Sequence, residues 1–425
     1  MGAPGLGPMT MTIALQLLLA AGWLAAFGLL VLLLALELTM GRAPRLGATP
    51  AGASKGGDAA NGRDILSVIV PAYNEATRIN SCVGALLASE LGGMNWRLVV
   101  ADDDSSDSTV EGLEALIEAG AFPSPPLEVL RCGPRPAGER WSGKTWPCSE
   151  AVRLLPQRPT PDPDPAATEW LLFIDADVNV APAALASAVA EARRSGADLL
   201  TLAPRIRCGC LAEWVVQPIV VALLGLGFPI ARANNPDDPT AFAAGPFMLF
   251  RRSSYEAIGG HRALAAEVVE DLALARAIKQ RGLSLRYLLG IDLLELRMYP
   301  DFGSLWEGWT KNWHLGLNRN PLLTLASGAV VLGLFSGPWL LLLLAGLQAI
   351  QQPLAWPSLL TPALVGVALQ LAVRLWSRWR FGLGLRHWWL AWLGGLVIAA
   401  IAPVSIWKTS TGRGWTWRGR SLRPY

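Results

Sequence analysis

Charged side chains are scarce in this sequence. Asp, Glu, Lys and Arg make up 16% of its 425 residues, and hydrophobic residues make up 52%. A typical soluble domain carries about 25% charged residues. The shortage of water-facing groups excludes an ordinary cytosolic enzyme, and a net charge of only +3 excludes a nucleic-acid binder driven by bulk charge. Only three histidines are present, and the five cysteines, Cys82, Cys132, Cys148, Cys208 and Cys210, contain no Cys-x-x-Cys pair. Cys208-x-Cys210 lacks partners for a zinc site, so the set reads as reduced thiols in a cytosol-facing domain. The most informative absence is local. From Pro321 to Tyr425 there is no Asp or Glu, beside nine Lys or Arg and ten of the 19 tryptophans. Residues 1–320 hold the other 27 basic residues and all 33 acidic ones, so a net −6 stands against +9. That division predicts a membrane module attached to an acidic catalytic or binding domain.

Uncharged runs locate the module. Ile13–Leu36 is 24 residues without a charge, long enough to cross a hydrocarbon core of about 30 Å. No basic residue precedes the run, whereas Arg42, Arg45 and Lys55 follow it. This predicts a signal-anchor helix within residues 1–40, with the N-terminus outside and the next domain cytosolic. Leu322–Ile350 and Leu359–Leu375 read as two further spans, with Arg374, Arg378, Arg380 and Arg386 marking a cytosolic return. Trp388–Trp407 is basic on both flanks and contains Pro403, which favours a re-entrant or interfacial segment. Residues 321–425 are therefore expected to form a membrane module of two or three apolar segments with a basic tail. The apolar run Glu213–Ile230 separates motifs that must face one compartment, so it is expected to lie in the interface or to pack as a buried helix.

Between these ends the pattern changes. Residues 41–63 are rich in Gly, Ala and Pro and read as a flexible linker. Residues 64–320 alternate short β-branched runs (65–70, 97–101, 127–130, 170–174 and 199–202) with helical stretches at 77–90, 109–119 and 182–195. The fold class is α/β, a mainly parallel sheet with helices on both faces, and ligands on such sheets bind beyond the carboxyl ends of the strands. The polar clusters lie at those ends: Pro71-Ala72-Tyr73-Asn74-Glu75, then Asp102 to Thr109, then Asp175-Ala176-Asp177. So many acids at one crevice repel each other unless a cation or hydrogen-bond donors answer them. Asp175 and Asp177, two residues apart in a strand-end turn, can share one hard cation, Mg²⁺ or Mn²⁺, completed by phosphate oxygens.

These clusters, with a later Glu270-Asp271 opening a helix, resemble family 2 glycosyltransferases of the GT-A nucleotide-diphospho-sugar fold, over residues 65 to about 315. Within that family the sequence is similar to membrane-bound enzymes that glycosylate carotenoids or accompany hopanoid synthesis. That likeness rests on Trp141-Ser142-Gly143-Lys144-Thr145-Trp146, Arg297-Met298-Tyr299, Leu305 to Asn312, and Trp417-Arg418-Gly419-Arg420. The resemblance implies a nucleotide-diphospho-sugar donor and assigns Pro71, Ala72, Tyr73 and Glu75 to the nucleoside pocket. It puts Asp103 at the base, Asp175 near the ribose or metal, Asp177 as principal metal ligand, and Asp271 as general base with Glu270 beside it. Processive members carry a Gln-x-x-Arg-Trp signature that is absent here, which points to a single transfer.

The chemistry asks for the same roles. Displacing a nucleoside diphosphate needs charge stabilisation, from a metal and from Lys144 or Lys311, and one base to accept the acceptor's proton. One base with direct attack inverts the sugar carbon, whereas a glycoside hydrolase uses two carboxylates flanking the bond. The expected acceptor is a lipid hydroxyl, most simply of a carotenoid or other isoprenoid, approaching from the bilayer near Trp306 and Trp309. The rivals are transfer to a polyprenyl phosphate and a non-catalytic membrane partner that retains the fold. Plainer readings stand beside these: Glu270-Asp271 as a helix-start acid pair, Lys144 as a loop lysine, and Trp141 and Trp146 as packing residues. Trp306, Trp309 and Trp313 recur at helical spacing as a buried or interfacial face, His261 and His314 read as structural, and the five prolines of 156–165 as a surface loop.

Overall fold

The computed structural model describes residues 8–48, 64–120, 127–136, 138–155, 168–351, 356–417 and 420–421. The proline-rich stretch 156–165, Lys55 and the central pair of the Trp417–Arg420 motif lie outside the described residues. The chain divides into two compact units. One comprises Arg42–Arg207 and Phe228–Met298; the other comprises Met1–Gly41, Cys208–Gly227 and Tyr299–Tyr425.

The first unit is the α/β body. Its strands are β1 (Ile65–Ala72), β2 (Asn95–Asp102), β3 (Leu127–Arg131), β4 (Glu169–Ile174), β5 (Val178–Val180), β6 (Leu199–Ala203), β7 (Arg205–Ile206), β8 (Phe247–Arg251), β9 (Leu285–Leu289) and β10 (Leu294–Leu296). Seven form one sheet in the order β3-β2-β1-β4-β8-β6-β9. All neighbours are parallel except β8, which runs antiparallel to both β4 and β6. A smaller sheet, β5-β10-β7, sits beside it in sequence order. Every residue of β1 is buried, as a Val- and Ile-rich strand covered on both faces should be. The α/β reading, a mainly parallel sheet, is thus what the chain adopts, with β8 as the one antiparallel member of the large sheet. Strands β1 to β4 and β6 fall within two residues of the runs read from sequence, and helices form at Ile79–Leu87, Thr109–Glu118 and Ala184–Ser195.

Part of the expected linker is not a linker. The Leu46 N–H donates to the Leu289 carbonyl, and the Leu289 N–H donates to the Pro44 carbonyl, both at 2.9 Å, so this stretch pairs with β9. Residues 49–63 lie outside the described residues. At the base of the body, Asp64 is fully buried and accepts hydrogen bonds from the Thr168 N–H (2.8 Å) and Trp170 Nε1 (3.3 Å), beside an ion pair with Arg193. Trp170 is one of the largest fully buried side chains.

The second unit is helical. Among the described residues four helices are long and apolar enough to cross a membrane: Ile13–Met40, Pro321–Ile350, Ser358–Phe381 and Trp388–Thr411. The second of them contains a π-helical turn at Leu332–Ser336. In the last, Ala391–Thr411 is one continuous helix that carries Pro403 inside it. Leu211–Gly227, a 17-residue apolar helix, also belongs here, as does Phe302–Gly316. The boundaries read from sequence, 64 and 320, therefore differ from those of the compact units, since the chain passes between the units four times. Close backbone approach holds these helices. A side chain at Gly394 would meet the Val215 carbonyl at 2.3 Å, and Arg380 Nε donates to the Met40 carbonyl at 2.7 Å.

Replacing Asp64 by Ala strands three donors, the fully buried Trp170 Nε1 and the half-buried Thr168 N–H and Arg193 guanidinium. The full chain should lose about 3–5 kcal/mol, read from the denaturant midpoint of the purified protein.

Candidate active site

The polar clusters meet at the carboxyl ends of β1, β2 and β4. Pro71 and Ala72 end β1, and Tyr73 and Glu75 occupy the turn that follows. Asn74 holds this turn in the left-handed region (φ 53°), with its N–H donating to Ser105 Oγ (3.0 Å) and its Oδ1 accepting from the Ser106 N–H (2.8 Å). The Glu75 N–H donates to Thr109 Oγ1 at 2.8 Å, and the Asp103 N–H to the Ala72 carbonyl at 2.9 Å. The first two strand ends are thus laced into one surface. Asp102 carries a buried Oδ1 with no partner among the described residues, an acceptor that the sequence reading did not single out.

Asp103 is buried and paired with Arg135 at 2.6 Å. Arg135 also donates to the carbonyls of Trp141 (2.6 Å) and Gly143 (3.1 Å). It therefore fastens the Trp141–Thr145 loop to β2. The loop's other side is fixed by the Ser142 N–H to the Ala265 carbonyl (2.7 Å) and Ser142 Oγ to the Ala266 carbonyl (3.0 Å). Gly143 turns at φ 49°, where a side chain is strained. Trp141 and Trp146 are buried edge to face, centroids 4.9 Å apart, in the packing role.

This clamping aims Lys144. Its ammonium pairs with Asp175 and lies 3.3 Å from Glu270, and it donates to the Gly245 carbonyl at 3.3 Å. Burial alone would pull the ammonium down; Asp175 and Glu270 outweigh burial and hold it well above the usual lysine range. Gly245 serves the neighbour as well: its N–H donates to Asp271 Oδ2 at 3.1 Å, while Asp271 Oδ1 accepts from the Leu272 N–H at 2.7 Å. Burial, and then Glu270, push the Asp271 carboxyl up to about 6, against the pull of Lys144 and the two N–H donors. A carboxyl at that value takes and gives protons near neutral pH. Asp175, Lys144, Gly245, Glu270 and Asp271 therefore form one network, tied to β4 by the Asp175 N–H on the Pro246 carbonyl (3.3 Å).

Asp177 pairs with Arg78 at 3.2 Å, and Cys82 donates to the Asp175 carbonyl at 3.6 Å. Burial, with Asp177 and Asp175 close by, drives the Cys82 thiol far up, which leaves it inert. Asp175 and Asp177 supply hard oxygen donors at one strand end. Among the described residues no group of three or more His, Cys, Asp or Glu side chains could hold an ion unaided. The donor set fits Mg²⁺ or Mn²⁺ of the kind held by one or two carboxylates and completed by substrate phosphate. His261 accepts no such role: burial lowers it to about 3, and its Nδ1 is bonded to Tyr255 Oη at 2.9 Å.

Lys311, Trp306 and Trp309 lie on the helix Phe302–Gly316 of the other unit. Trp309 is buried and donates from Nε1 to Gln217 Oε1 at 3.0 Å; Trp306 packs on Phe302 with centroids 5.9 Å apart. Both contacts are of the packing kind. Arg78, Arg135 and Gly245 escaped the sequence reading; the only hint was that three acidic strand ends require more cations than Lys144.

The base role expected of Asp271 needs its ionised form, and protonation removes it. kcat/KM should fall about tenfold per pH unit below 6 and stay level above it, and Asp271→Asn should cost at least about a hundredfold in kcat. A side chain at position 245 would come within 2.9 Å of Asp271 Oδ2. Gly245→Ala should therefore lower kcat about tenfold or more with an unchanged thermal midpoint, because it displaces the carboxylate rather than the core.

A family model described as Glycosyl transferase family 2 matches residues 67–135, and one described as Glycosyl transferase family 21 matches residues 163–423. The chain is similar to the 4,4'-diaponeurosporenoate glycosyltransferases of Staphylococcus aureus strains MRSA252 (26% identity over 278 residues) and USA300 (25%). These matches cover 64% of this chain, which spans 66% of the length of those relatives. Among solved structures it is similar to a mannosyltransferase from Pyrobaculum calidifontis in complex with GDP-Man and Mn²⁺ (TM-score 0.48, 16% identity, 93% of this chain and 99% of that one). It is also similar to glucosyl-3-phosphoglycerate synthase from Mycobacterium tuberculosis (TM-score 0.34, 19% identity, 56% of this chain and 72% of that one). With the family 21 model running through more than half of its length, the chain belongs to glycosyl transferase family 21 and is a glycosyltransferase.

Proposed function

We propose that the protein transfers a single sugar, with inversion, from a nucleotide-diphospho-sugar to a hydroxyl of a membrane lipid, a carotenoid or another isoprenoid. The observation that carries the lipid acceptor is that one polypeptide joins the acid-and-lysine crevice to four helices long and apolar enough to cross a membrane. Large apolar side chains on those helices are turned outward, among them Leu38, Leu322, Leu340 and Ile350. The name of the Staphylococcus aureus relatives supports a carotenoid-like acceptor. Arg42 and Arg45 after the first helix support a cytosolic crevice and an integral membrane protein.

In this reading the acceptor oxygen attacks the anomeric carbon as the bond from that carbon to the diphosphate breaks. The leaving diphosphate takes the bonding electron pair, and the acceptor's proton passes to Asp271. Lys144 faces the negative charge that develops on the diphosphate, and Glu270 holds Lys144 in place. Pro71, Ala72, Tyr73, Glu75 and Asp103 bound the nucleoside pocket. Asp175 and Asp177 would hold Mg²⁺ or Mn²⁺, which supplies charge neutralisation of the diphosphate. Lys311 is a second candidate cation for the leaving group, and Trp306 and Trp309 mark the acceptor region.

Mass spectrometry of total lipids from cells with and without the protein tests this. A glycosylated lipid should be present with the wild type and absent with Asp271→Asn or Asp177→Ala. A product that loses its sugar in mild acid as a sugar phosphate would point instead to a polyprenyl phosphate acceptor. Products confined to soluble acceptors would refute the lipid reading.

A further inference from the structure

The helical unit holds a cleft that the sugar-transfer chemistry does not use. Its walls include Trp214, Phe335, Gln370, Arg374, Ser377 and Trp388. Arg374 is only 7% exposed, and its Nε and Nη2 are buried without a hydrogen-bond partner among the described residues. No carboxylate of the described residues forms an ion pair with it, and residues 321–425 contain no acid that could. The Trp214 ring, 5.7 Å from the guanidinium carbon, answers the charge in part but offers no hydrogen-bond acceptor. A buried guanidinium with two unmade hydrogen bonds is costly unless something supplies the acceptors.

The surroundings are built around this opening. The π-helical turn Leu332–Ser336 puts Phe335 in the wall, and the carbonyls of Leu334 and Phe335 are taken up by Gln370 Nε2 at 2.8 and 3.0 Å. Gln370 Oε1 accepts from Trp339 Nε1 at 2.8 Å, and the glutamine makes no hydrogen bond to Arg374 Nε or Nη2. Trp214 is held against Gly384, where a side chain would meet its ring at 2.8 Å. π-helical turns of this kind cluster at functional sites, and an ionisable residue inside an apolar helical bundle marks one by default.

The geometry points to Arg374 as the receptor for the oxyanion head, phosphate or carboxylate, of a membrane amphiphile whose chain lies along the apolar walls. Nε and Nη2 form the edge of the guanidinium fork that pairs with two oxygens at once. The charge complementarity selects an anion. The aromatic and aliphatic lining, drawn from three helices long and apolar enough to cross a bilayer and from the shorter apolar helix Leu211–Gly227, selects one with an apolar body over a free ion.

Titration calorimetry on the full chain in a neutral detergent, without any sugar donor, tests the assignment apart from the transferase reading. Oleyl phosphate should bind at least tenfold more tightly than oleyl alcohol. Arg374→Gln should erase that margin, and Arg374→Lys, which keeps the charge and the fold, should weaken oleyl phosphate about tenfold. Equal affinity for the alcohol and the phosphate, or unchanged binding in the lysine variant, would overturn the proposal. So would inorganic phosphate binding as tightly as oleyl phosphate, since the site would then take a free ion.

Discussion

Lys144 is the charge on which the crevice depends. Three strand ends and the start of one helix bring carboxylates to the same place, and like charges at close range raise each other's proton affinity or force the site apart. The ammonium pairs with Asp175, reaches Glu270 at 3.3 Å and lowers the cost of ionising Asp271. Its position is fixed from both sides: Arg135 secures the Trp141–Thr145 loop to Asp103, and Ser142 secures it to residues 265 and 266. Arg78 answers Asp177 in the same way. A site that collects acids is therefore also one that has recruited three cations.

Gly245 shows how tightly this balance constrains the backbone. Its N–H bonds Asp271 and its carbonyl bonds Lys144, so one peptide unit holds the acid and the cation that tunes it. The residue stands just before β8, the single antiparallel strand of the large sheet. Reversing that strand brings the chain back to the carboxyl end of β4, where Pro246 accepts from the Asp175 N–H. The topology and the electrostatics are two aspects of the same arrangement.

Much of this was legible in the residues. β1, β4 and the second half of β2 stand out as buried apolar runs, and β2 and β4 lead directly into acids. The spanning helices stand out by length and absence of charge. β8 and β9, five residues each, were missed because a short apolar run does not by itself tell a strand from a piece of buried helix. That Ala391–Thr411 runs as one continuous helix through Pro403 was not legible, because the neighbours a helix packs against are not written in its own residues. Those neighbours lie far off in sequence: Gly394 and Gly395 press against the Val215 carbonyl and Ser336.

By itself the sequence determined an acidic α/β body and an acid-free helical stretch from Pro321 to Tyr425, because hydropathy and charge are summed locally along the chain. It also determined the carboxylate set, since acids at strand ends are neighbours in sequence. Only the tertiary structure decided which cations answer them. Arg78 and Asp177 are 99 residues apart, Arg135 and Asp103 are 32 apart, and Gly245 and Asp271 are 26 apart. Pairings over such separations leave no periodic trace, because they are set by how the sheet orders its strands and not by any local preference of the residues.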